Sequence, residues 1–260
     1  MKSPALESIP EFATKTIVAC ALLTWATATF GMQNQCTASS GPQITPVLEL
    51  YTSEGCSSCP PADKWASTFK GKNVVVQAFH VGYWDYIGWV DRFAAPAHTS
   101  RQREVAGNNR LRNIYTPQAV VNGRDWPQWG NASSRILGTS DAARAHITLK
   151  RLGDDQFEAT VTPMAAGGAA PAWGAYWTVT EHGHNSKVKA GENAGEFLKH
   201  DFVVRQYTQA GDYKSSDATP QKLGFRSIAA TPGHERQINL VVFEPQSGKT
   251  LQALSLSCPA

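Results

Sequence analysis

The chain has no run of lysines and arginines, no second C-x-x-C, no H-x-x-x-H, no convincing internal repeat and only 3 methionines. Each absence closes off a class of protein. A formal charge of +3 over 260 residues is small and scattered, so no electrostatic footprint for nucleic acid or a polybasic membrane contact exists. Half a zinc site usually needs a second Cys or His pair nearby, and none is present. Soft thiolates select Cu(I), but without Met-rich or well-spaced His ligands copper handling is only a weak third reading. His182, His184 and His200 lack ligand-like spacing and are assigned no metal, and no cofactor is implied.

Long apolar runs are also scarce. Lys2 and Lys15 precede an apolar stretch from Thr16 to Phe30, shorter than the ~20 residues a spanning helix needs. Ala26-Thr27-Ala28 offers a small-x-small cleavage site, so residues 1–28 read as an export signal rather than an uncleaved anchor. Contact with the membrane would then be transient, and the mature protein periplasmic or secreted. Ile17-Val18-Ala19-Cys20 resembles a lipoprotein box, but the apolar run follows Cys20, which argues against lipidation. Cleavage removes Cys20 and leaves Cys36, Cys56, Cys59 and Cys258, four thiols with three pairings, in a compartment that permits disulfides.

What is present is patterned in two styles. After a polar leader (29–44), Val47–Tyr51 reads as a strand, Thr52–Gly55 as a turn carrying the cysteine pair, and Asp63–Phe69 as a helix. Val74–Phe79 reads as a strand buried on both faces. Two helical stretches are expected in 80–113, with Ser100–Arg112 polar enough for a solvated helix. Ala119–Val121 followed by Asn122-Gly123 is a strong hairpin signal. Strands alternating with helices argue for an α/β layer architecture over 45–138. From 139 to 260 the pattern turns to period-two alternation, in Ala145–Lys150, Phe157–Val161, Ala175–Thr180, Phe202–Gln206 and Gln237–Phe243. That predicts a second, antiparallel β-rich domain of sandwich type. Gly167–Pro171 reads as a hairpin loop or flexible connection.

The chemistry sits in Cys56-Ser57-Ser58-Cys59. A two-residue spacer lets two thiols meet across one helical turn. With Cys56 at a helix start, orphan N–H groups and the helix dipole would favour its thiolate. Cys56 would attack a substrate disulfide and Cys59 would resolve the mixed disulfide. Lowering a thiol pKa from about 8.5 to about 7 gains only about threefold in rate, because nucleophilicity falls with basicity. The larger consequence is for redox poise. The competing reading is an inert structural disulfide. Cys36 and Cys258 flank the mature chain, and a bridge between them would contribute about 5 kcal/mol as an upper figure from chain entropy; a free or intermolecular cysteine is the alternative.

Three stretches look alike in one family: Val47–Asp63 with its E-G-C-S-S-C-P-P core, His80-Val81-Gly82-Tyr83-Trp84-Asp85-Tyr86-Ile87-Gly88-Trp89, and Tyr115-Thr116-Pro117-Gln118. They resemble domain-of-unknown-function family 1223, secreted bacterial proteins grouped with thioredoxin-like proteins. Gly191–Gly195 and His200–Arg205 extend the resemblance over roughly residues 45–258. It implies an α/β thioredoxin-like domain with a C-terminal antiparallel β-rich, sandwich-like domain, and no known reaction. Pro60-Pro61 departs from ordinary thioredoxins and should shift the helix start.

By that resemblance Thr116-Pro117 would be a cis-proline loop beside the cysteines, with the Thr116 backbone open to an extended substrate; an ordinary trans-proline strand start is the alternative. Glu49, in an apolar strand, would be a buried carboxylate that moves the resolving proton, or else a solvent-facing position. Tyr83, Trp84, Tyr86 and Trp89 would border the site or fill a helix core. His80 and Asp85 would form a relay or a metal pair, unless His80 is a satisfied structural histidine. Two functions follow: a thiol-disulfide oxidoreductase acting outside the cytoplasm on protein or small-molecule thiols, or a non-catalytic binding module with a permanent Cys56–Cys59 bridge. Fold alone does not choose between them.

Overall fold

A computed structural model describes Met1 and residues 36–131, 141–164, 172–213 and 219–258. The expected export segment beyond Met1, the Gly167–Pro171 connection and the 138/139 boundary lie outside the described residues.

β1 (Thr37–Ser39) is short. β2 (Val47–Thr52) is buried along its whole length, as is the strand that follows α1 (Pro60–Ser67), β3 (Val75–His80). The two strands run parallel, from Val47 opposite Val75 to Thr52 opposite His80. Burial on both faces is what a continuous apolar run in a parallel pair provides. Two prolines open α1, where a missing N–H costs little. Ala62 and Ala66, one turn apart, pack with Leu48 and Leu50 on one face of the sheet. α2 (Pro96–Asn108) begins earlier than the expected Ser100 and is solvated on one face only: Ser100, Arg103 and Glu104 are exposed, while His98, Arg101, Gln102, Val105 and Ala106 are buried. β4 (Gln118–Val121) and β5 (Arg124–Asp125) form the expected hairpin. Asn122 and Gly123 both take positive φ, 50° and 81°, the conformation a two-residue hairpin demands.

β6 (Ala145–Gly153) and β7 (Gln156–Pro163) pair antiparallel. β8 (Trp173–Glu181), β9 (His184–Lys187), β10 (Phe197–His200), β11 (Val203–Tyr213), β12 (Gln221–Arg226), β13 (Arg236–Phe243) and β14 (Thr250–Leu256) follow.

The expected α/β class, a thioredoxin-like domain with a sandwich-like β-rich domain beside it, does not hold. Fourteen strands and two α-helices among the described residues make a mostly β protein. The reason lies at the edge of β3. There β11 pairs in parallel, Val203 opposite Ala78, and then runs antiparallel along β8. Strands from both halves of the chain thereby fill one mixed eight-stranded sheet, in the order β14-β13-β8-β11-β3-β2-β4-β5. An α/β protein would instead layer helices over a mainly parallel sheet. A four-stranded sheet, β1-β6-β7-β12, shares a core with the larger one. Ile147, Leu149 and Val161 meet Trp173, Trp177, Val179, Ile238 and Leu240 there.

The other face of β8 is polar and fully engaged. Tyr176 Oη donates to Glu49 Oε1 at 3.2 Å, and Thr178 Oγ1 donates to Gln77 Oε1 at 2.7 Å. At the sheet's two extremes, the β4–β5 turn touches the β13–β14 turn. A β-carbon at Gly123 would overlap the Gly248 carbonyl, so this approach requires glycine. The bridge Cys36–Cys258 joins the first described residue of the leader to the segment after β14, with Cα atoms 5.7 Å apart.

Candidate functional site

The cysteine turn hangs between the end of β2 and the start of α1. Cys56 N–H donates to the Ser53 carbonyl at 3.2 Å, and Cys59 N–H to the Cys56 carbonyl at 3.1 Å. The two sulfurs are joined, with Cα atoms 5.4 Å apart, inside the normal span for a disulfide. Cys59, not Cys56, occupies the N-cap of α1 and makes no side-chain cap hydrogen bond. Pro60 and Pro61 bring no N–H, and the next two amides, of Ala62 and Asp63, donate to the Cys59 carbonyl at 2.9 and 3.1 Å. The amides expected to face the Cys56 sulfur are therefore either missing or turned to the Cys59 carbonyl. Both cysteines are buried, Cys56 at 1% and Cys59 at 0% exposure.

Two segments touch the turn, and a third meets it through one of them. Thr116–Pro117 is a cis peptide, and Trp84 Nε1–H donates to Thr116 Oγ1 at 2.8 Å. Trp84 presses on Gly55, where a β-carbon would stand 3.0 Å from the Trp84 Cβ. From the far half of the chain, the Asn193 amide donates to the carbonyls of Glu54 (2.8 Å) and Cys56 (3.0 Å). The Glu192 carboxylate accepts from Ser57 N–H at 3.0 Å, and the Ser57 hydroxyl together with that amide lowers its pKa. The aromatic cluster is divided. Trp84 and Trp89 face inward, while Tyr86 is 82% exposed beside Val90 at 71%. Tyr83 packs near Tyr51 and Phe79.

Glu49 is buried rather than solvent-facing. Arg101 grips it with two bonds, Nη2 to Oε1 at 2.9 Å and Nε to Oε2 at 3.2 Å, and Tyr51 Oη donates to Oε2 at 2.6 Å. Burial alone would raise its pKa, but the Arg101 charge and these hydrogen bonds outweigh it and lower it. A relay of the resolving proton needs the opposite shift. Glu49 also shares a strand face with Tyr51, while α1 packs on Leu48 and Leu50.

A second buried charged group lies next to the pair, and residue spacing did not reveal it. Glu54 sits two residues before Cys56, and Asp63 on the first turn after Cys59. His200, from β10, stands between them, with Nε2 3.3 Å from Glu54 Oε1 and Nδ1 3.6 Å from Asp63 Oδ2. Burial works against a charged imidazole, but the two carboxylates outweigh it and push the His200 pKa up to about 9. The Glu54 carboxyl would be raised by burial, yet His200, Ser186 and Trp89 lower it; Trp89 Nε1–H donates to its Oε2 at 2.7 Å. His80 pairs with Asp91 at 2.7 Å rather than with Asp85. Burial opposes ionisation of Asp91, but His80 and the amides of Glu54 and Phe93 hold it at about 2. His98 donates from Nδ1 to the His80 carbonyl at 2.9 Å, and burial pushes its pKa down to about 4. Among the described residues no group of three or more His, Cys, Asp or Glu is arranged to hold a metal ion. The signal for the buried group was Glu54 itself, an acid inside a turn of small residues, and His200 in the resembling stretch.

Fold and site together define a mostly β protein with a short-loop disulfide sealed beside buried charges. The chain belongs to the family described as protein of unknown function (DUF1223), whose model matches residues 47–243. No curated protein matches. Among solved structures, protein AGR_C_4864 from Agrobacterium tumefaciens is similar at 24% identity and a TM-score of 0.64, over 84% of this chain and 96% of that one. HBP35 of Porphyromonas gingivalis is similar at 14% identity and a TM-score of 0.56, over 83% of this chain and 76% of that one. At these identities both similarities speak to the fold alone.

Proposed function

We propose that the protein is a thiol-disulfide oxidoreductase acting outside the cytoplasm, in the periplasm or as a secreted protein. The observation that carries the reading is the Cys56–Cys59 disulfide itself, closed across two residues at the mouth of α1, with Trp84 against Gly55 of the same turn and hydrogen-bonded to Thr116. Cys56 is the nucleophile and Cys59 resolves, on a protein or small-molecule thiol or disulfide. Thr116 and Pro117 shape the groove. Glu49 is better placed to hold the scaffold than to move a proton. Two disulfides suit an oxidising compartment, and among the described residues no helix is long and apolar enough to cross a membrane.

One observation favours a second reading, a binding module with a permanent bridge: both sulfurs are buried. Titration of the Cys56–Cys59 couple against glutathione or dithiothreitol, with Cys56→Ser as control, separates the two. A potential between about −120 and −270 mV supports exchange, and one below about −300 mV marks the bridge as structural.

A further inference from the structure

We infer that His200 is a positioning residue for the cysteine pair, a buried positive charge that ties the turn before Cys56 to the helix after Cys59 and favours the reduced state. This rests on the exchange reading above.

The geometry places the charge. Glu54 is fixed to the turn by its own backbone: its N–H donates to Asp91 at 2.9 Å, and its carbonyl accepts from the same Asn193 amide that holds Cys56. Asp63 is fixed to Cys59 through its N–H. His200 therefore bridges two carboxylates anchored on either side of the disulfide. All three side chains and both sulfurs are buried, so water screens their interaction weakly. Reduction adds a thiolate beside two existing carboxylates. A positive charge at that point offsets the repulsion, and a nearby imidazolium favours thiolate over thiol.

The His80 ring lies 4.9 Å from that of His200 and is held by Asp91. Asp85 accepts from the Asp91 amide. Phe93 separates His200 from His184, which pairs with Glu181, and Arg92 and Arg205 lie over that same Phe93 ring. Asp201 pairs with Lys70 at 2.8 Å. His200 is thus the cation that contacts both flanking carboxylates.

In the exchange step a substrate dithiol loses two electrons and two protons and becomes a disulfide. The Cys56–Cys59 bond breaks and takes up both electrons. One sulfur gains a proton, the other remains thiolate, and the second proton goes to solvent.

The test equilibrates the full chain with dithiothreitol buffers from pH 6 to 10 and reads Cys56 and Cys59 by alkylation and peptide mass, so that Cys36–Cys258 is not counted. In His200→Gln the disulfide should be about tenfold harder to reduce at pH 7, a potential ~30 mV lower. The gap should close above about pH 9, where the wild-type imidazole loses its proton. Equal potentials at pH 7, or a gap that ignores pH, would overturn the inference. Should the variant fail to fold, the wild-type profile decides. Its slope must steepen by up to ~30 mV per pH unit beyond about pH 9, one extra proton per two electrons, and an unbroken slope sinks the idea. The exchange reading fails on a different quantity, an absolute potential below about −300 mV.

Discussion

The two disulfides differ in opposite senses in span and burial. Cys36–Cys258 closes a sequence separation of 222 residues and is only partly buried. Cys56–Cys59 closes a separation of 3 and is sealed. In the chain-entropy model a bridge stabilises in proportion to the logarithm of the loop it closes. The long bridge is therefore the strut of the molecule, whereas the short one restrains little chain and owes its dry position to the segments folded over it. Accessibility at the short bridge is a property of those segments, Trp84 and Glu192–Asn193.

The contrast can be broken most directly by removing each bridge. The Cys36→Ser/Cys258→Ser protein should lose about 5 kcal/mol at most, against about 2 kcal/mol for Cys56→Ser/Cys59→Ser, measured by denaturant unfolding. Equal losses would erase the distinction. Next in size is the buried pair beneath the scaffold. Arg101→Ala leaves the Glu49 charge uncompensated and should cost about 3–5 kcal/mol while leaving the potential of Cys56–Cys59 unchanged. A shifted potential in a folded Arg101→Ala protein would return Glu49 to the chemistry. The smallest effect tests the cover. Asn193→Ala removes the bonds to Glu54 and Cys56 and should speed reduction of Cys56–Cys59 by a small reductant about fivefold, the factor for ~1 kcal/mol of lost hydrogen bonding. The rate at Cys36–Cys258 serves as internal control, and a common acceleration of both would point to general loosening.

Much of the local structure was legible because local physics dictates it. The apolar runs of β2 and β3, the alternation of β6 and β7, and the Asn122-Gly123 hairpin each follow from a period or a turn residue. The Cys36–Cys258 bridge was one of the pairings open to four thiols, suggested by their places flanking the mature chain. Lateral order was not legible. Nothing in Val203–Tyr213 announces that β11 will dock on β3, because a strand's side-chain pattern encodes its faces and not its neighbour. That one contact turns an expected α/β layer into half of a mixed sheet. The buried face of α2 was missed because its inward residues are polar: Arg101 and Gln102 are buried against partners, Glu49 and Gln118, that lie elsewhere in the chain. The same blindness hid the site's charge. Glu54 and His200 are 146 positions apart, and spacing rules search within a single element. The resemblance carried both residues without saying that they meet.

The glycine contact between the two outermost turns has a consequence for handling the protein. A long mixed sheet normally ends in two strands with unsatisfied backbone edges, which template association with other chains. Here β5 and β14, the terminal members of the sheet, belong to hairpins whose tips abut at Gly123 and Gly248, and Thr250 N–H reaches the Asn122 carbonyl. The sheet in effect buttons onto itself. A side chain at Gly123 would unbutton it, and the first symptom would be a tendency to self-associate rather than a change at the distant cysteines.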